Sequence, residues 1–138
     1  MRDLLLRNKV LSSLNIADNR IGNDGLAVVS QAFGPSCVLV ILNLSNNDLE
    51  GTPVMEAIQP YLRKTRNLLE LNLSNNRIGD CALTRLSEIF KDNSSRLQRL
   101  SLANCELTSA SMSSFFIGVR SSTHLRSLNL SHNDLSGH

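Results

Sequence analysis

The residues of this chain that could do chemistry are few, and none stands in a pattern that chemistry needs. His124, His132 and His138 could ligate a metal, but their spacing matches no ligand motif and they lack ligand partners, so they read as solvated side chains. Cys37, Cys81 and Cys105 contain no C-x-x-C spacing and are odd in number. That argues for reduced thiols in a cytosolic or nuclear protein rather than a disulfide framework. Gly22 and Gly25 fall between a strand and a helix, where a phosphate loop would sit, but they repeat structural positions. Glu70 and Arg99 could pass a proton, yet on adjacent strands they read as a cross-strand ion pair. No nucleophile has an adjacent base. The sequence points away from an enzyme and implies no cofactor.

What positions these residues is a repeat. Asparagine recurs at Asn19, Asn47, Asn76 and Asn133, with Cys105 in the same place, at steps of 28, 29, 29 and 28 residues. Around each stands one pattern, as in Leu68, Leu71, Leu73, Asn76 and Ile78. A fixed period of this length means a solenoid whose units bury their apolar faces against their neighbours. Alternation at Leu14-x-Ile16, Leu42-x-Leu44, Leu71-x-Leu73, Leu100-x-Leu102 and Leu128-x-Leu130 predicts strands with one buried side. All copies run the same way, which requires a parallel sheet with helical crossovers. Asn19, Asn47, Asn76, Cys105 and Asn133 form a structural ladder, each satisfying backbone groups of adjacent coils where the chain leaves the sheet. Helical spacing follows each of the first four strands: Leu26, Val29 and Phe33; Val54, Ile58 and Tyr61; Leu83, Leu86 and Phe90; Met112, Phe115 and Val119. Starts are expected near Asp24, at Thr52 as N-cap with Pro53 behind it, at Asp80, and at Thr108 or Ser109. Pro60 is expected to end or distort the second helix.

Units of this length resemble the ribonuclease-inhibitor type of leucine-rich repeat. The segments Asn19-Arg20-Ile21-Gly22-Asn23-Asp24-Gly25-Leu26 and Asn76-Arg77-Ile78-Gly79-Asp80 are especially similar to repeats of NOD-like receptors and Ran GTPase-activating protein. The resemblance implies an α/β horseshoe with a concave parallel sheet and convex helices, and mostly intracellular relatives; it is nearly silent on function. Residues 1–138 then form a single domain of about five repeats. Residues 2–7 read as the tail of a helix, and Leu135-Ser136-Gly137-His138 stop where another should start, so the array is expected to be incomplete at both ends. Uncapped ends would invite self-association.

Charge and surface rows bound the partners. A net charge of +2 gives no case for nucleic acid or membrane, and no apolar run approaches a spanning length. The Asn-x-Ser sequons at Asn43, Asn72, Asn93 and Asn129 are inert unless the chain is secreted. Arg7, Lys9, Arg63, Lys64, Arg66, Lys91, Arg96 and Arg120 fall in helix-to-strand loops, against Asp92. Asp18, Asp24, Asp48, Glu50, Asp80, Glu106 and Asp134 gather at the opposite rim, against Arg20 and Arg77. Helix dipoles, at ~0.3–1 kcal/mol per charge, account for both rims at once and are preferred over a basic rim made for an acidic partner.

Alternation places Ser13, Ile41, Glu70, Arg99 and Ser127 in one exposed row of the concave face, with Asn15, Asn43, Asn72, Ser101 and Asn129 in the next. A third row holds Ala17, Ser45, Ser74, Ala103 and Ser131. Strands ~4.8 Å apart make this face about 20 Å wide. Val40, Ile41 and Leu69 either pack coils laterally or form an apolar patch, and the Asn row reads first as an amide ladder stiffening the sheet. The function this supports is a protein-binding module or scaffold, with Ile41, Asn43, Glu70, Asn72, Arg99, Ser101 and Asn129 as the candidate contact surface. The resemblances imply two alternatives: a regulator that touches a GTPase through Arg20 or Arg77, and the sensor segment of a larger NOD-like receptor.

Overall fold

The computed structural model describes residues 10–34 and 37–136. The expected helix tail at residues 2–7, with Arg7 and Lys9 on the rim and His138, lies outside them. Strands β1 (Ser13–Asn15), β2 (Ile41–Asn43), β3 (Glu70–Asn72), β4 (Arg99–Ser101) and β5 (Ser127–Asn129) form one sheet in chain order. Every pair is parallel, and Leu14, Leu42, Leu71, Leu100 and Leu128 lie in register. Between the strands run α1 (Gly22–Ser30), α2 (Thr52–Lys64), α3 (Gly79–Lys91) and α4 (Met112–Ser121), the last led in by a 3-10 turn at Ser109–Ser111. This is the expected α/β leucine-rich repeat solenoid.

The core is the space between the two layers. Leu42, Leu44, Leu71, Leu73, Leu100 and Leu102 face it from the sheet, and Leu26, Ile58, Leu86 and Phe115 from the helices. Each is removed from water, which is what the alternation of the strands and the helical spacing require. Towards β5 the packing loosens, and Leu125, Leu128, Leu130 and Leu135 are half-buried.

Several local expectations need correction. Thr52 is not the N-cap of α2 but its first residue; Gly51, at φ 71°, takes the cap position that a side chain would strain. Pro60 does not end α2, which runs on to Lys64. Pro60 is exposed, while Ile58, Tyr61 and Leu62 on the inner side are buried, so core packing carries the helix past the missing N–H. Phe33 is buried as expected but lies beyond α1, which closes at Ser30. Thr108 does cap, accepting from the Ala110 N–H at 3.2 Å, but it caps the 3-10 turn rather than α4. Asp80 sits inside the first turn of α3 and reaches across to the next unit. Its carboxylate accepts from the Ser111 hydroxyl at 2.6 Å, from the Thr108 N–H at 2.9 Å and from the Thr108 hydroxyl. Burial pushes that carboxyl up, but these donors outweigh it and hold it below the usual range.

At Asn47, Asn76, Cys105 and Asn133 the ladder side chain bonds the backbone of the preceding coil. Asn76 Oδ1 accepts from the N–H groups of Asn47 (2.9 Å) and Leu49 (3.0 Å) in the preceding coil. Its amide nitrogen donates to the carbonyls of Leu44, Leu73 and Ser74. Asn47 does the same for Asn19, Ile16 and Leu44, and Asn133 for Cys105, Leu107 and Leu102. Asn19 donates to Ile16 and Ala17 of its own coil. The residue before each ladder position, Asp18, Asn46, Asn75, Asn104 or His132, is left-handed, with φ between 50° and 63°. Asp, Asn and His enter this region more readily than other side chains, which accounts for all five.

Cys105 fills the slot with less. Its thiol donates to the Leu73 carbonyl at 3.2 Å, and burial pushes it up to about 11 despite the nearby N–H groups of Asn76 and Asn75. It therefore stays protonated at neutral pH. What it lacks is the amide oxygen that, at Asn47, Asn76 and Asn133, collects two N–H groups. Cys105→Asn is accordingly expected to stabilise the array by about 1 kcal/mol, measured by urea denaturation, because the new oxygen accepts from Asn76 and Ile78. A lower stability would mean that the slot has closed around sulfur.

Across the same junction, α3 and α4 pack closely. Phe90 and Phe115 meet edge to face at 6.1 Å. A Cβ on Gly118 would stand 2.4 Å from the Ser87 carbonyl oxygen, so only glycine permits this approach.

Candidate functional site

The concave face assembles the candidate contact residues in the expected rows. Ser13, Ile41, Glu70, Arg99 and Ser127 are neighbours across the sheet, as are Asn15, Asn43, Asn72, Ser101 and Asn129. Ile41, Asn43, Glu70, Asn72, Arg99, Ser101 and Asn129 all line one shallow concavity of about 260 Å³. Arg99 Nη1 stands 3.3 Å from Glu70 Oε1, the cross-strand pair read from the sequence. Both are solvated, so the pair orients two side chains more than it stabilises the sheet. Ile41 is 38 % exposed, while Val40 and Leu69 are half-buried between coils.

The asparagine row does not form an amide ladder across the strands. Each Oδ1 turns back on its own chain: Asn15 accepts from Ala17, Asn43 from Ser45, Asn72 from Ser74 and Asn129 from Ser131, at 2.9–3.0 Å. A short polar side chain that captures the N–H two residues on starts the bend away from the sheet. Ser101 is too short to do so. Its hydroxyl instead bonds Ser74 Oγ at 2.6 Å, and Ser74 Oγ accepts the Ala103 N–H at 3.1 Å, which also buries Ser74 in the third row. The side-chain amide nitrogens of Asn15, Asn43, Asn72 and Asn129 bond nothing among the described residues. Side chains do link across coils one step further on, where Asn46 donates to Asp18 and Asn104 to Asn75.

The two rims carry the opposite charges expected of them. On the acidic rim, Asp48, Glu50, Asn75, Asn104 and Glu106 surround a cavity of about 430 Å³ with Arg77. The Arg77 guanidinium lies 3.6 Å from Glu106, while Arg20 pairs with no anion among the described residues. On the basic rim, Arg63 holds Asp92 at 2.6 Å. Among the described residues, no group of His, Cys, Asp and Glu is placed to hold a metal, and no helix is long and apolar enough to cross a membrane. Cys37 and Cys105 are buried and Cys81 exposed, all three unbridged. Phe116 and Ile117, about half exposed on α4, escape the sequence reading because their neighbours Phe115 and Val119 already satisfy the helical spacing.

Comparison with known proteins agrees with the coil geometry. A family model described as Leucine Rich repeat matches residues 7–30, 64–86 and 121–137, and a second, Leucine Rich Repeat, matches residues 38–58. The chain is 33 % identical over 96 % of its length to NACHT, LRR and PYD domains-containing protein 5 of Mus musculus, covering 11 % of that protein. It is 35 % identical over 96 % of its length to NACHT, LRR and PYD domains-containing protein 3 of Rattus norvegicus, covering 13 % of it. It is 33 % identical over 93 % of its length to the ribonuclease inhibitor of Mus musculus, covering 28 % of it. The chain thus spans less than a third of each of these relatives. With strand, ladder turn and helix recurring through the first four units, the chain belongs to the leucine-rich repeat family and its repeats are of the ribonuclease-inhibitor type.

Proposed function

We propose that the chain is an intracellular protein-binding module, and that its concave face around Ile41, Glu70, Asn72 and Arg99 takes a protein partner. The observation that carries this reading is the state of the asparagine row. Asn43, Asn72 and Asn129 spend their oxygens on their own backbone, which leaves the amide N–H groups free to donate beside an exposed isoleucine and an exposed arginine. Arginine and apolar side chains buried on binding anchor interfaces, and the array presents them on a backbone that is already ordered. A ribonuclease inhibitor among the relatives supports the same reading, its name being that of a protein that acts on another protein.

The test is capture of partners from source-cell lysate by the wild type and by the double variant Ile41→Ala, Arg99→Glu. A partner held by the wild type is expected to bind the variant about 30-fold or more weakly, at an unchanged melting temperature. Equal capture by a folded variant would remove the concave face from consideration. The relatives carrying NACHT and PYD domains favour a second reading, in which the module is the sensor segment of a larger receptor. Under it, a version of the chain extended by further repeats binds the same partner more tightly than residues 1–138 do.

A further inference from the structure

The basic rim holds more charge than helix dipoles explain. Arg63 and Lys64 lie in the last turn of α2 and Lys91 in that of α3, where a dipole favours cations. Arg66 and Arg96 do not. They follow the C-caps Thr65 and Asp92, outside the last turn to which that effect is confined. Neither guanidinium has a partner among the described residues, and Asp92, the rim's anion, is taken by Arg63.

These cations frame two adjoining clefts. Arg63, Lys64, Arg66 and Arg96, with Asn93 and Ser94, line a polar cleft of about 490 Å³. On the other side of the Lys64–Asn67 loop, Phe33, Pro60 and Tyr61 line a more apolar cleft, also of about 490 Å³. Lys64 and Arg66 border both. The Phe33 and Tyr61 rings pack at 5.1 Å, which gives the second cleft a fixed aromatic wall.

We propose that this rim is a second binding surface, which takes an acidic segment of a protein with its carboxylates over Arg63, Arg66 and Arg96 and one apolar side chain in the Phe33–Tyr61 cleft. The proposal rests on the reading of the chain as a protein-binding module and adds a site and a partner chemistry to it. Guanidinium groups suit carboxylates, and the neighbouring apolar cleft calls for a ligand that alternates charge with hydrocarbon. A nucleic acid fits worse. The acidic rim of the same array repels a long polyanion.

The experiment is fluorescence anisotropy with a labelled peptide, a run of glutamates interrupted by one phenylalanine, at low ionic strength. The wild type is expected to bind it. Arg66→Glu with Arg96→Glu should bind about tenfold or more weakly at an unchanged melting temperature, whereas Arg85→Glu, the same kind of charge change on α3 away from the rim, should not matter. Replacing the peptide's phenylalanine by glycine should weaken binding severalfold. Absence of binding to the wild type, equal loss in Arg85→Glu, or indifference to the phenylalanine overturns the proposal. So does stronger competition by an oligouridylate of equal length, which would make the rim a nucleic-acid surface. Should charge reversal unfold the chain, Arg66→Gln with Arg96→Gln is the variant read. Concave-face capture is scored in a separate assay, so this proposal can fail while the protein-binding reading stands.

Discussion

Asn76→Ala is expected to lower the unfolding free energy by about 2–4 kcal/mol, with the loss read from urea denaturation followed by far-ultraviolet circular dichroism. The side chain is 4 % exposed and serves two coils at once. Truncation strands the N–H groups of Asn47 and Leu49, which have no other acceptor within the turn. The carbonyls of Leu44, Leu73 and Ser74 lose a donor as well. An orphaned buried donor costs about 1–3 kcal/mol, and here there are two, which decides the size of the effect. No mutation of a solvated ion pair approaches this; Arg99–Glu70 and Arg85–Glu56 are both exposed. A change within about 0.5 kcal/mol would mean that water enters the turn and that the ladder contributes little.

Phe115→Ala is expected to cost about 3–5 kcal/mol. The ring is fully buried, contributes one face of the Phe90 pair and anchors α4 to α3. Because each unit of a solenoid contacts only its neighbours, the damage should be local before it is global. Amide exchange in α4 and β5 is therefore expected to accelerate in Phe115→Ala while β2 and β3 keep their protection. Uniform acceleration through all five strands would show that the array unfolds as one block.

The fold was legible because its determinants are local and repeated. A leucine or isoleucine every second residue and an asparagine, once replaced by a cysteine, every 28 or 29 fix strand, register and turn without reference to distant sequence. The rows of the concave face follow from the same period, so Ile41, Glu70 and Arg99 could be placed together in advance. What escaped was whatever depends on a side chain choosing between two partners. The Asn43 and Asn72 oxygens could pair across the sheet or with the N–H two residues on, and the bend of the chain favours the nearer donor. Asp80 reads as a helix-start acid by type, yet Thr108 and Ser111 arrive beside it only once the coils stack. Pro60 reads as a helix stop because the burial of Tyr61 and Leu62 behind it is a tertiary effect. The clefts of the basic rim are tertiary too, since the loops of three units build them.

The approach of Gly118 to Ser87 sets a shape. Strands stack at about 4.8 Å, while helix axes pack at about 8–10 Å, and the difference is what bends a layered coil of this kind into an arc. At the junction of the third and fourth units the outer layer is drawn in until backbone meets backbone. Closer helices narrow the difference in spacing there, which lowers the curvature of the inner surface between β3 and β4. Glu70, Asn72, Arg99 and Ser101 occupy that stretch. A partner surface with little curvature suits that stretch better than a strongly convex one.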